Sequence, residues 1–288
     1  MRNPRPGRRP HLAIIPTLTL CTLGTLCTHA LPASAQLHPR WIGPVGADTL
    51  ARDTLRAHDA RTRSFADVSS WVIVGAVLAA PLAVSAHATA AQQAPASSFA
   101  LSAISLAIPY GGVALTGFIA KSLFARERPY ATAAGLARRC ITGNEPGCDA
   151  DRNASFPSLH SAFAFAGAGM TCVQAATLAP YAAGLDALGC GFATFGATLG
   201  AALRMVADKH YASDVIVGSL LGASLSVGLA VAFHQQSQAP LRLNAALETP
   251  QDTLGPTLLG AGLGILSGGL LMGLLGLELR AQAQAHAH

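Results

Sequence analysis

The chain has 288 residues, of which 51% are hydrophobic and only 11% are charged, and its formal net charge is +5. Soluble globular domains usually carry about a quarter charged residues, so this composition disfavours an ordinary soluble domain. Arginine supplies almost all of the positive charge, because Lys121 and Lys209 are the only lysines. A nucleic-acid partner would require clustered basic residues on a soluble face, and none is expected here.

Residues 1–36 have the pattern of a targeting segment. Arginines at positions 2, 5, 8 and 9 precede an apolar run from Leu12 to about Leu26, and Ala33-Ser34-Ala35 fits a small-residue cleavage site. The segment is predicted to be either a cleaved signal peptide or a retained first membrane helix. In both cases the basic start stays in the cytoplasm, and the polar, arginine-bearing residues 37–70 are predicted to lie in the periplasm.

Long windows without charge point to membrane-spanning helices. No Asp, Glu, Lys or Arg occurs in residues 71–120, 153–185, 187–203, 215–241 and 253–277. A helix that crosses the bilayer core needs roughly 20 consecutive apolar residues. The alternative, a soluble all-helical protein, would leave such helices without a polar face. The sequence therefore predicts an all-α, polytopic membrane helix bundle with about five or six core helices.

Residues 235–288 are predicted to form a C-terminal extension. Its apolar, glycine-rich stretch at 256–279 is a candidate for a further spanning helix, because glycines suit close helix packing in lipid. The tail Arg280–His288 is predicted to be disordered.

Four cysteines follow the targeting segment. Cys140 and Cys148 share one polar loop, and in an exported loop they are candidates for a disulfide, with two free thiols as the alternative. Cys172 and Cys190 lie in apolar runs and are predicted to be buried neutral thiols.

Counting the crossings places two polar loops, residues 122–157 and 204–214, in one compartment. The basic N-terminus makes that compartment the periplasm of a bacterial inner membrane. Both loops are rich in arginine, which opposes the usual excess of positive charge on the cytoplasmic side. We therefore expect the chemistry of a site to explain these arginines.

Three polar clusters lie at helix ends that face this compartment. Lys121 and Arg128 are seven residues apart and share one face if their helix continues to Pro129. Ser158, Leu159 and His160 come immediately before a predicted helix, whose first backbone amides can bind an anion. Arg204, His210 and Asp214 form the third cluster, in which the last two have the spacing of side-by-side residues on a helix.

Together these clusters would supply three cations, amide donors, two imidazoles and one carboxylate, which suits a phosphoryl group. Arginine and lysine stabilise the charge on its oxygens. One histidine can attack phosphorus while a carboxylate holds its tautomer, and the other can protonate the leaving oxygen. No metal or other cofactor is required. A zinc site made by His160, His210 and Asp214 is disfavoured, because the cations would repel the ion.

The three clusters resemble the motifs of the type 2 phosphatidic acid phosphatase superfamily, K-x6-R-P, P-S-G-H and S-R-x5-H-x3-D. The resemblance covers roughly residues 71–234, which we take as the domain. It implies a bundle of six membrane helices whose first member would be the N-terminal apolar run. It also implies a membrane phosphatase acting on a lipid phosphate, such as phosphatidic acid, phosphatidylglycerol phosphate, a polyprenyl diphosphate or a lipid A phosphate.

The resemblance also implies a role for each motif residue. His210 would be the nucleophile that forms a phosphohistidine, Asp214 would orient it, and His160 would be the general acid and base. Phosphate oxygens would be bound by Lys121, Arg128, Arg204, the Ser158 hydroxyl and the Leu159 amide.

The sequence departs from the family pattern at two positions. Leu159 replaces the glycine of the second motif and is expected to crowd the approach, and Leu203 replaces the serine of the third motif. Four neighbouring charged residues are predicted to be solvated loop residues, namely Arg126, Glu127, Asp208 and Lys209. Two other functions stay open, a non-catalytic phospholipid-binding membrane protein and a vanadate-dependent haloperoxidase.

Overall fold

The computed structural model describes residues 44, 46–91, 93–132, 152–178, 183–230 and 254–285. These residues are predominantly helical, and no strand occurs among them. The helices in chain order are α1 (Gly46–Leu55), α2 (Ala60–Ala91), α3 (Ala96–Phe124), α4 (Leu159–Leu178), α5 (Ala183–Val206), α6 (Ala212–Leu229) and α7 (Leu254–Ala285). A short 3-10 turn, Pro129–Thr132, follows α3.

Among the described residues, five segments are long and apolar enough to cross a membrane. They are Ala60–Ala91, Ala96–Ala131, Leu185–Val206, Ala212–Leu229 and Leu259–Glu278. Large apolar side chains are exposed along them, for example Leu115 and Phe118 on α3 and Leu266 and Leu270 on α7. Such a surface is stable in lipid and costly in water. The prediction of an all-α membrane helix bundle is confirmed.

Helix α4 lies at the centre of the bundle and packs against α2, α3, α5 and α6. Its contact with α6 is close because two glycines of α6 face the backbone of α4. A Cβ atom at Gly218 would collide with the Ser158 carbonyl, and one at Gly222 would collide with the Ala162 carbonyl. The absence of side chains there lets two helix backbones approach closely. It also fixes the start of α4 against the start of α6.

Helices α1 and α7 lie outside this centre. Helix α7 packs mainly on α5 and also contacts α1. It continues to Ala285, so the predicted spanning stretch 256–279 is helical, but most of the tail predicted to be disordered belongs to the same helix. Helix α1 occupies part of the segment 37–70, which therefore contains a helix and the start of α2 rather than a single polar loop.

A disulfide joins α4 and α5. Cys172 on α4 and Cys190 on α5 form a disulfide, so the prediction that they are free buried thiols is wrong. Their Cα atoms are only 4.7 Å apart because α4 and α5 are neighbouring helices whose crossing brings the two residues together. The candidate pair Cys140 and Cys148 lies outside the described residues.

Helix α3 ends earlier than the first motif required. Its last residue is Phe124, and Ala125 has a left-handed backbone with φ 42°. Arg128 therefore lies in an irregular segment after α3 and does not share a helical face with Lys121. Its backbone N–H donates to the Arg152 carbonyl at 2.8 Å, which holds the segment against the residues that precede α4.

Candidate functional site

The predicted site residues come from four helix ends at one end of the bundle. Lys121 is in the last turn of α3, His160 is in the first turn of α4, Arg204 is in the last turn of α5, and Asp214 is in the first turn of α6. Lys121, Arg128, Arg204 and His210 all act electrostatically on the His160 ring. The structure thus brings the three sequence clusters together.

His210 is the buried centre of this group. It precedes α6, which begins at Ala212, so the predicted side-by-side arrangement on one helix is wrong. Its Nδ1 lies 2.8 Å from the Ser155 carbonyl, and its Nε2 lies 3.5 Å from a guanidinium nitrogen of Arg128. Because a carbonyl can only accept, Nδ1 must carry the proton, and the lone pair is on Nε2. That nitrogen is the one that faces the cations.

Burial and the surrounding cations keep the His210 ring neutral. The pKa of His210 is lowered from the ordinary value of 6.5 to about 3, mainly by desolvation. The positive charges of Arg128, Arg204 and Lys121 contribute to this lowering, and the nearby Asp214 carboxylate opposes it. A neutral imidazole beside several cations is protected from protonation, so its Nε2 lone pair stays available.

Asp214 lies behind the His210 ring and is itself held from three sides. Its Oδ2 is 3.8 Å from His210 Nδ1, accepts from the Ser155 hydroxyl at 2.5 Å, and accepts from the Tyr211 backbone N–H at 2.9 Å. Its Oδ1 accepts from Arg126 at 2.6 Å. The direct acceptor for the ring N–H is therefore the Ser155 carbonyl. The Asp214 carboxylate does not contact the ring N–H directly, and it holds Ser155 in place through the hydroxyl hydrogen bond.

Arg126 links this carboxylate to α1. One of its terminal nitrogens binds Asp214, and the other binds Asp48 Oδ2 at 2.8 Å, while Asp48 Oδ1 caps the backbone N–H of Ser213 at 2.8 Å. Arg126, Asp48 and Asp214 are at most 4% exposed. The prediction that Arg126 is a solvated loop residue is wrong, because it is buried and forms ion pairs with two buried carboxylates.

The other charged neighbours also have partners. Asp208, predicted to be solvated, is buried and accepts from Arg52 at 2.6 and 2.8 Å, and this ion pair raises the pKa of Arg52. Glu127 pairs with Arg152 in a half-buried contact. Asp208 also has a left-handed backbone, with φ 59°, at the turn after α5.

The three predicted phosphate-binding cations are arranged around the His210 and His160 rings. Lys121 donates to the Ala154 carbonyl, and Arg128 donates to the Lys209 carbonyl at 3.3 Å. Arg204 pairs with Asp67 of α2 and donates to the Ser70 hydroxyl at 3.1 Å. Each cation is thus held in place by a carbonyl or a carboxylate.

The second motif begins α4, as predicted. Ser158 is fully buried, and its hydroxyl accepts from the Ser161 backbone N–H at 3.3 Å in the manner of an N-cap. The His160 ring makes an edge contact with Trp71, with a centroid separation of 3.8 Å. Its Nε2 is buried and has no hydrogen-bond partner among the described residues.

The Leu159 side chain points to α3. Its Cδ2 occupies the space that a Cβ atom would need at Gly117, one helical turn before Lys121. The leucine that replaces the family's glycine therefore has a matching gap on the neighbouring helix.

Sequence reasoning missed Asp48, Asp67, Trp71 and Ser155. The two aspartates carried a weak signal, since they are two of four acidic residues in a segment that also carries five arginines. Trp71 had no signal, and Ser155 had none beyond its closeness to the second motif. Among the described residues, no group of three or more His, Cys, Asp and Glu side chains has metal-binding geometry.

Comparisons with known proteins agree with this geometry. Residues 101–238 match the family model of the PAP2 superfamily, which covers the three motifs and the helices that carry them. No curated protein and no solved structure matches the chain. The match over residues 101–238 is thus consistent with a member of the PAP2 superfamily, whose domain is typically a phosphatase.

Proposed function

We propose that this protein is a membrane phosphatase that hydrolyses a lipid phosphate monoester or diphosphate through a phosphohistidine, without a metal ion. The observation that carries the proposal is the orientation of His210. Its protonated Nδ1 is bound to the Ser155 carbonyl, so its Nε2 lone pair faces the space beside Arg128. A phosphorus atom placed there would be within reach of the nucleophile and of fixed cations.

In the first half of the reaction, His210 Nε2 would attack phosphorus and the bond to the leaving oxygen would break. Lys121, Arg128 and Arg204 would bind the equatorial oxygens, where charge accumulates. His160 would give its proton to the leaving oxygen. The negative charge of the bound phosphate is what would let His160 take up a proton among these cations.

In the second half, His160 would remove a proton from a water molecule that attacks the phosphohistidine. The bond to Nε2 would break, His210 would return to its neutral state, and inorganic phosphate would leave. The Ser155 carbonyl would keep the same ring tautomer throughout both halves, because it accepts from Nδ1 only.

Two features support a lipid as the substrate. The site lies where helices long enough to cross a bilayer end, which is the depth of lipid headgroups. Trp71, which touches the His160 ring, is 61% exposed on α2, and tryptophan favours the membrane–water interface. We place the site on the periplasmic face of a bacterial inner membrane, on the basis of the N-terminal charge pattern.

The test is phosphate release by the purified protein in detergent with a chelator present. Substrates would include a phosphatidic acid, a polyprenyl diphosphate and a water-soluble phosphate ester. We expect release from a lipid substrate, and its loss in His210→Ala. The matched control is His87→Ala, which changes an exposed histidine of α2 and should leave release intact. Release that persists in His210→Ala would contradict the mechanism, and lipid binding without release would favour a non-catalytic protein.

A further inference from the structure

Helix α2 presents three neighbouring side chains to the site. The Asp67 carboxylate pairs with Arg204, the Ser70 hydroxyl accepts from the same guanidinium nitrogen at 3.1 Å, and Trp71 touches His160. The positions are three and four residues apart, so they share one face of the helix. Residues of α2 thus contact two groups on which the proposed reaction depends.

Asp67 binds a guanidinium nitrogen of Arg204 that can also donate to a phosphate oxygen. The ion pair and the Ser70 contact both involve Arg204 Nη1. A carboxylate and a phosphate use the same donors of a guanidinium, because both present oxygen acceptors to its planar fork. A phosphate oxygen that binds Arg204 Nη1 must therefore displace the Asp67 carboxylate from this nitrogen.

The structure also offers a place for the displaced carboxylate. Asp67 is 31% exposed, whereas Arg204 is only 5% exposed, so the carboxylate is the partner nearer to solvent. Lys209 Nζ lies 3.9 Å from the other carboxylate oxygen and is itself 31% exposed. Asp67 can therefore turn toward Lys209 and water without leaving a buried charge unpaired, which would be costly.

We propose that Asp67 is an internal competitor of phosphate for Arg204 and thereby limits how tightly the site holds substrate and inorganic phosphate. This inference rests on the proposed function, because it assigns Arg204 to the phosphate. This competition would assist product release. Inorganic phosphate keeps the charge that binds it to the cations, and a carboxylate that returns to Arg204 favours its departure.

The test compares Asp67→Asn with the wild-type protein, using inorganic phosphate as the probe. Two readouts are the inhibition constant of phosphate in the hydrolysis assay and the rise in thermal midpoint that phosphate causes in detergent. We expect about tenfold tighter phosphate binding in the variant, a change equal to about 1.4 kcal/mol. Without phosphate the variant should have a lower midpoint, and with phosphate a larger rise, because only the folded site binds the anion.

The matched control is Asp53→Asn, which removes the same charge from an exposed position of α1 and should leave both readouts unchanged. If Asp67→Asn does not accumulate as folded protein, Asp67→Ser tests the same prediction. A merely structural Asp67 would lower the thermal midpoint without increasing the phosphate-induced rise, and that result would overturn the inference.

The two proposals can fail separately. Unchanged or weaker phosphate binding by Asp67→Asn, in a protein that hydrolyses lipid phosphate, would overturn only the role of Asp67. A wild-type protein that neither hydrolyses a phosphate ester nor gains stability from phosphate would overturn the proposed function and this inference with it.

Discussion

The two sides of the His210 ring differ in how their charges are balanced. On the Nε2 side, Arg128 lies 3.5 Å from the ring, and a carbonyl or an outer carboxylate holds each of Lys121, Arg128 and Arg204, the cations that would bind phosphate. On the Nδ1 side, Asp214 and Asp48 share Arg126 in a fully buried network.

This difference separates the groups that would act from the groups that position them. The Nε2 side holds an excess of positive charge, which is useful only when a phosphate arrives. The Nδ1 side holds ion pairs that need no ligand and fix Ser155, which in turn fixes the ring. We therefore expect substitutions on the Nδ1 side mainly to lower the stability of the fold. Substitutions on the Nε2 side should mainly change the affinity for phosphate.

The largest expected effect is that of Arg126→Met. The change leaves Asp48 and Asp214 buried without their shared cation, and breaking a buried ion pair in this way costs about 3 to 5 kcal/mol. We expect a large fall in the thermal midpoint in detergent together with loss of phosphate release. The measurement is thermal unfolding monitored by the amount of monodisperse protein that remains.

Arg152→Met is the matched control in the same connecting region. Arg152 pairs with Glu127, and their side chains are 22% and 36% exposed. Such a pair usually contributes less than about 1 kcal/mol. If Arg126→Met and Arg152→Met lowered the thermal midpoint equally, the buried network would be no more important for stability than the half-exposed ion pair.

A lower pH is expected to reduce the unfolding free energy by an intermediate amount. The pKa of His210 is lowered from 6.5 to about 3, so below pH 6.5 the unfolded chain gains a proton that the folded protein excludes. Stability contributed by the neutral ring is therefore present above pH 6.5 and is lost as the pH falls toward 3. At pH 5 the loss from this group is about 2 kcal/mol, at 1.36 kcal/mol per pH unit.

The measurement is the change in unfolding free energy between pH 7 and pH 5 for the wild type and for His210→Gln. The variant lacks the titrating ring, and its stability should fall less with acid by that amount. The same acid sensitivity in both proteins would show that His210 is not held neutral.

The smallest expected effect concerns Leu159. Leu159→Gly removes the side chain that fills the gap at Gly117 and places a glycine in the first turn of α4, which costs about 1 to 2 kcal/mol. Gly117→Ala should also destabilise the wild type, because its Cβ would collide with Leu159. The double variant should recover part of the loss, as expected for residues in contact. Additive losses would show that the two positions are not in contact.

The motif residues could be predicted from the sequence because local rules place them. Charge-free windows end where the polar motifs begin, and Ser158 precedes α4 as an N-cap residue would. The convergence of Lys121, His160, Arg204 and His210 follows once the number of crossings is known. All-α architecture followed from the same windows.

The buried ion pairs could not be predicted, because they join residues far apart in sequence. Asp48 and Arg126 are separated by 78 positions, and Asp67 and Arg204 by 137. No local pattern pairs a particular aspartate with a particular arginine. The disulfide between Cys172 and Cys190 depends in the same way on which faces of α4 and α5 meet.

The same ion pairs explain the arginine-rich loops. Arg126, Arg152 and Arg204 each have an acidic partner, as does Arg52 on α1. The sequence showed the excess of arginine, but the partners became visible only in the fold.

The most direct test of the central claim is to identify the atom that carries the phosphoryl group during turnover. The protein would be mixed with phosphorus-labelled lipid phosphate, quenched in alkali and digested, and the modified histidine would be located by mass spectrometry and its isomer identified by phosphorus NMR. We expect the phosphoryl group on Nε2 of His210 and no phosphohistidine in His210→Gln. Label on Nδ1 or on another residue, or turnover by His210→Gln, would contradict this expectation.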